Sequence, residues 1–155
     1  MEKAAVLIVE EEALIRMESI DIVKDAGFTA LEAVDADEAV RILDIRHDIR
    51  VVFVDIKMSG SMDGLRLAHV IRDRWPPVHL ILTSGQSITN AGELPQNALF
   101  IQKPYSAEQV TTALCELFAY QPRSIGGVSR LYQSWLQIGP HTPVLAFDSP
   151  AGNDP

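Results

Sequence analysis

Across residues 1–120, short apolar runs alternate with longer amphipathic stretches. Residues 4–9, 51–54, 78–82 and 98–101 are apolar runs broken only by His79. Unbroken runs of this kind suit strands buried on both faces of a parallel sheet better than half-exposed strands. Residues 28–34 are less hydrophobic and suit a sheet edge. Helical patterns lie between the runs. Residues 12–26 stop at Gly27, and residues 35–46 open with acids that favour a helix N-terminus. Residues 63–74 end at Trp75-Pro76-Pro77, and residues 106–120 open with Ser106-Ala107-Glu108-Gln109, a capping-box pattern. Residues 86–97 are the weak link, because Gly92 and Pro95 leave little room for a helix. Strands alternating with helices predict an α/β class, a doubly wound five-stranded sandwich with helices on both faces.

Composition sharpens the boundary. The chain has 155 residues, about the length of one domain, and a formal charge of −8. Residues 1–120 hold 19 acids and 11 bases and carry the whole excess; residues 121–155 hold two of each. Those last residues also contain five of the nine prolines and four of the nine glycines, so they have little means of building a core. The expected division is therefore a domain over 1–120 and a Pro/Gly-rich tail over 121–155. Within the tail, Leu131, Trp135 and Ile138 fall at helical spacing between Ser129 and Gly139, so residues 129–138 could form a short helix.

Charge and cysteine content exclude several classes. An acidic balance argues against direct DNA binding, since affinity for phosphate backbones comes largely from Lys and Arg. The single cysteine, Cys115, cannot form an internal disulfide, which favours a reducing compartment; its place in the last helical pattern suggests a packing residue. The N-terminal apolar stretch meets Glu10-Glu11-Glu12 too soon for a signal peptide, and no run approaches the ~18 apolar residues of a membrane span. The expectation is a cytoplasmic protein with no membrane partner. His47, His69, His79 and His141 have no metal-ligand spacing.

In open α/β sheets, ligands bind at the carboxyl ends of the strands. Glu10-Glu11-Glu12 follows the first predicted strand, Asp55 ends the third, Thr83-Ser84-Gly85 ends the fourth, and Lys103-Pro104 follows the fifth. Carboxylates, a hydroxyl and an ammonium thus converge on one edge. Such a set suits a hard divalent cation together with a phosphoryl group, and a carboxylate nucleophile can form an aspartyl phosphate.

Residues 6–12 (VLIVEEE), 52–58 (VFVDIKM) with 60–64 (GSMDG), 80–85 (LILTSG) and 100–105 (FIQKPY) resemble the receiver domain of bacterial two-component response regulators. The resemblance implies a flavodoxin-like sheet of strand order 2-1-3-4-5 with a weak or irregular fourth helix. It implies Asp55 as phosphoacceptor, Thr83 as switch hydroxyl, Lys103 as phosphoryl partner and Phe100 at the aromatic switch position. Glu10, Glu11, Asp55 and the Lys57 carbonyl are implied as the Mg²⁺ site. The final segment resembles the subgroup with a Phe-x-x-Lys-Pro-Tyr signature. Implied partners are a histidine kinase or phosphotransfer protein and a downstream protein, and a homodimer could form through the fifth strand and last helix.

Three positions depart from the family pattern. Glu11 stands where the second acid is nearly always Asp, Ser59 where Pro usually follows Met58, and Leu99 where the subgroup often has Pro. The extra methylene of Glu11 implies weaker Mg²⁺ binding. The leading functional reading is a phosphoacceptor switch acting through protein contacts, not an enzyme. The alternative is a phosphorylation-independent docking module with the same fold. A phosphohydrolase would want a second Asp two residues after Asp55, where this chain has Lys57.

Overall fold

The computed structural model describes residues 4–86 and 91–119. The elements follow in the order β1 (Ala5–Val9), α1 (Ala13–Asp25), β2 (Thr29–Ala33), α2 (Ala36–Ile45), β3 (Ile49–Asp55), α3 (Gly64–Arg74), β4 (His79–Ser84), β5 (Leu99–Gln102) and α4 (Ala107–Ala119). All strand pairs are parallel and the sheet order is β2-β1-β3-β4-β5. This is the doubly wound, flavodoxin-like arrangement. The less hydrophobic β2 lies at an edge, as its composition predicts. Among the described residues, the β4–β5 connection contains a single 3-10 turn, Ala91–Glu93, in agreement with the irregular fourth helix. The tail and its 129–138 segment lie outside the described residues.

Two apolar clusters sandwich the sheet. One joins Leu7, Val52, Val54, Leu80, Leu82 and Phe100 to residues of α2 and α3; the other joins Val6, Ile8, Phe53, Ile81 and Ile101 to α1 and α4. Adjacent strand residues point to opposite faces, which is why β1 and the central runs of β3, β4 and β5 are apolar, while the edge strand β2 carries the exposed Glu32.

Local chemistry fixes the helix ends. Asp35 accepts from the Glu38 amide at 2.8 Å, and the Glu38 carboxylate accepts from the Val34 amide at 3.0 Å. At α4 the capping box forms in both directions: the Gln109 amide donates to Ser106 Oγ at 3.1 Å and the Ser106 amide to Gln109 Oε1 at 2.7 Å. Gly27, at φ +96°, terminates α1 in a conformation that disfavours a side chain.

Two expectations change. β3 begins at Ile49, two residues before the apolar run, because exposed Arg50 interrupts the hydrophobic signal while Ile49 is buried. Cys115 is exposed rather than packed. α4 buries Val110, Ala113, Leu114 and Leu117, and the residue after Leu114 is turned about 100° away from that stripe.

Candidate functional site

The carboxyl ends of β1, β3, β4 and β5 meet at one edge. Asp55 is the last residue of β3 and stands in register with Thr83 of β4. Glu10 follows β1 directly, and Lys103 follows β5, its amide donating to the Ser84 carbonyl at 2.9 Å. From there the Lys103 ammonium reaches Glu10 Oε1 at 2.8 Å and Asp55 Oδ2 at 3.1 Å. Glu10 and Asp55 are only 4% and 6% exposed, so a near-buried triad of two carboxylates and one ammonium forms here.

Burial and the neighbouring Glu10 charge push the Asp55 carboxyl above its ordinary range, against the opposing pull of Lys103. Burial works against the Lys103 charge, yet hydrogen bonds and attraction from Glu10 and Asp55 outweigh it and raise that pKa. The triad keeps one net negative charge in a region of low dielectric. It is chemically primed for a further cation.

The surrounding backbone is held in place. The Lys57 amide approaches Asp55 Oδ1 at 3.3 Å, and the Glu12 amide donates to Glu10 Oε2 at 3.1 Å. Arg16 Nη1, from the first turns of α1, donates to the Glu10 carbonyl at 2.9 Å and the Glu11 carbonyl at 3.4 Å. Thr83 is 1% exposed, and its Oγ1 has no hydrogen-bond partner among the described residues. An unsatisfied buried hydroxyl costs about 1–3 kcal/mol, so one beside a charged cluster calls for a ligand oxygen. Phe100 is buried in the cluster facing α3.

Glu11 is placed differently. Its carboxylate is exposed and turns to the loop after β3, where Oε2 accepts from the Ser59 amide at 3.1 Å and from Ser59 Oγ at 2.6 Å. Those bonds lower its pKa. Among the described residues, no group of three or more His, Cys, Asp or Glu side chains is drawn together for a metal ion. The donor types nonetheless fit Mg²⁺: the carboxylates of Asp55, Glu10 and Glu11 and the Lys57 carbonyl are all hard oxygens.

Some structural contributors escape sequence reasoning. At Gly64 an added Cβ would meet the Asp55 carbonyl oxygen at 1.9 Å, so α3 can begin against the end of β3 only without a side chain. Tyr105 OH lies 2.6 Å from Ser19 Oγ, tying the segment after Lys103 to α1, and its ring packs edge-on to Phe53 at 5.5 Å. Gly64 lies in the 60–64 segment, but neither its close approach to Asp55 nor the Ser19 contact is legible in sequence, because each depends on a long-range approach.

The family model for the response regulator receiver domain matches residues 6–115. This chain belongs to the receiver-domain family. The receiver is 30% identical over 149 residues to a putative NtrX-like response regulator of Rickettsia bellii, covering 92% of this chain and 31% of that protein. It is 32% identical over 122 residues to the sensor kinase CckA of Brucella abortus, covering 76% of this chain and 13% of the kinase. The chain thus spans about a third or less of these relatives. Among solved structures, the Thermotoga maritima response regulator TrrA in complex with Mg²⁺-BeF superimposes with a TM-score of 0.64 at 20% identity, over 74% of this chain and 98% of that one. No helix among the described residues is long and apolar enough to cross a membrane.

Proposed function

We propose that this receiver is a phosphoacceptor switch in a two-component relay, with Asp55 as the residue modified. The observation that carries the proposal is the Lys103 ammonium bridging Asp55 and Glu10 at the carboxyl edge of the sheet. The unsatisfied Thr83 hydroxyl, in register with Asp55, supports it.

The donor would be a phosphohistidine on a histidine kinase or phosphotransfer protein. An Asp55 carboxylate oxygen attacks phosphorus in line, a P–O bond forms, and the P–N bond breaks with its electron pair returning to the imidazole. Glu10, Glu11, Asp55 and the Lys57 carbonyl would hold Mg²⁺, which supplies positive charge to the phosphoryl oxygens when bound. Lys103 leaves its carboxylate partners for a phosphoryl oxygen, and the Thr83 hydroxyl gains the acceptor it lacks. Phe100, beside Leu82 and Leu94 in the same cluster, would repack as Thr83 moves and alter the face built from the 91–98 connection, β5 and α4.

The Phe100-to-Tyr105 segment supports membership of the Phe-x-x-Lys-Pro-Tyr subgroup, with Tyr105 anchored on Ser19. The edge position of β5 leaves room for a homodimer through β5 and α4. We assign output to protein contacts and the site of action to the cytoplasm, with residues 1–120 as the switch and 121–155 as a dispensable tail. A phosphorylation-independent docking role finds less support, because Asp55, Lys103 and Thr83 are all in place.

Incubation with acetyl phosphate and Mg²⁺ is expected to add one phosphoryl group by intact mass, labile to hydroxylamine. The Asp55→Asn variant should gain none. Full labelling of that variant would move the acceptor elsewhere.

The same substitution has a stability signature. Because the folded pKa of Asp55 is raised, its favourable contribution is present below the unfolded value of ~3.9 and lost as pH rises through the folded value. Asp55→Asn is therefore expected to stabilise the protein at pH 7, since it removes a charge that burial and Glu10 disfavour while Lys103 keeps Glu10 as its partner. The gain should shrink toward zero near pH 4, as followed by thermal unfolding across pH.

A further inference from the structure

Two departures from the family pattern, Glu11 and Ser59, meet in space. They lie 48 residues apart in sequence, yet Ser59 gives both its amide and its hydroxyl to one oxygen of Glu11. The contact joins the loop after β1 to the loop after β3, the two loops that frame Asp55. Proline at position 59 would supply neither donor, having no amide hydrogen and no hydroxyl. A shorter acid at position 11 would fall one methylene short of the present reach.

We propose that Glu11 and Ser59 form a latch that competes with the divalent cation, making Ser59 a determinant of metal affinity. The inference rests on the phosphoacceptor reading above. Glu11 has one carboxylate for two uses. While its head is fixed at Ser59, a cation among Asp55, Glu10 and the Lys57 carbonyl lacks that ligand. Recruiting Glu11 requires both hydrogen bonds to open. The loop itself does not depend on the latch, because Ser61 Oγ independently donates to Asp37 at the start of α2, at 2.8 Å. Opening the latch therefore frees Glu11 without releasing the loop that carries Lys57.

Ser61 also provides a control, since Ser61→Ala deletes a hydroxyl from the same loop without touching Glu11. Calorimetric titration with Mg²⁺ is the appropriate measurement, because Trp75 lies at the C-terminus of α3, at the other end of that helix from Asp55. Ser59→Ala is expected to tighten Mg²⁺ binding about two- to tenfold, the worth of one hydrogen bond given up before the cation binds. Ser61→Ala should leave affinity within about twofold. In a Glu11→Asp background, Ser59→Ala should have no further effect, as a double-mutant cycle would show.

In the unaltered protein, the Ser59 amide should exchange faster with solvent as Mg²⁺ is added. That readout remains available if a variant fails to fold. Unchanged or weaker binding in Ser59→Ala, an equal gain in Ser61→Ala, or a Ser59 amide indifferent to Mg²⁺ would overturn the latch. If the latch fails while Asp55 is still phosphorylated, the phosphoacceptor reading stands. If Mg²⁺ binds no variant and Asp55 takes no phosphoryl group, both fall.

Discussion

Replacing Gly64 with Ala is expected to damage this protein more than any single change at an exposed position. The new methyl group would sit 1.9 Å from the Asp55 carbonyl oxygen and 2.8 Å from the Ile56 Cα, both backbone atoms that cannot rotate away. Either α3 withdraws or the end of β3 bends. Withdrawal would also break the bond from the Gly64 amide to the Ile56 carbonyl, now 2.9 Å. Forcing a methyl group into a closed contact of this kind costs about 3 kcal/mol. For a domain of this size that corresponds to a melting temperature about 10 °C lower. Because the displaced carbonyl belongs to Asp55, the surviving folded protein should also phosphorylate slowly. A variant with unaltered melting temperature and labelling rate would show that α3 accommodates the methyl group by a shift the site does not feel.

The second large effect concerns Lys103. Replacing it with Met keeps most of the side chain's length and removes its charge, leaving Glu10 and Asp55 as two near-buried carboxylates without their shared cation. Breaking a buried ion pair on one side costs about 3 kcal/mol, chiefly because the remaining charge is stranded. The loss should be full at pH 7 and should shrink as pH falls and Asp55, whose pKa burial and Glu10 raise, takes up a proton. Adding Asp55→Asn to Lys103→Met should recover a large part of the stability, since only one carboxylate then remains uncompensated. Additive effects of the two substitutions, measured by denaturant unfolding, would mean that the Lys103–Asp55 contact contributes little. The sign for the wild-type lysine is the same as that for Asp55, but it acts at alkaline rather than acidic pH. Its raised pKa makes its contribution present below the unfolded value and lost as alkaline pH passes through the folded one.

Much of the architecture is legible in the sequence because the sheet is buried on both faces. β1 and the central parts of β3, β4 and β5 then announce themselves as continuous apolar runs, and caps mark the starts of α2 and α4, as Asp35 and Ser106 illustrate. The site edge is legible for a related reason. Parallel topology sends every strand the same way, so Glu10, Asp55, Thr83 and Lys103 can be collected at one edge by reading what lies at each strand's carboxyl end. What escapes this logic depends on distance rather than pattern. Gly64 resembles any turn glycine until the Asp55 carbonyl is seen above it. Arg16 reads as a charge on a helix, although it holds the carbonyls of Glu10 and Glu11. Ser59 reads in sequence only as a missing proline, whereas in space it ties that loop to Glu11. Cys115 reads as packing because the helical pattern around it is apolar, and only the register of α4 turns it outward.

Identification of the modified atom would test the central claim most directly. The receiver would be phosphorylated with acetyl phosphate and Mg²⁺, reduced with borohydride, digested and sequenced by mass spectrometry. Reduction converts an aspartyl phosphate to homoserine and leaves unmodified carboxylates untouched. The expected result is homoserine at position 55 and nowhere else, with none formed when the phosphodonor is omitted. A reduced residue at any other position, or no reduced residue in protein that has gained the mass of a phosphoryl group, would contradict the assignment of Asp55.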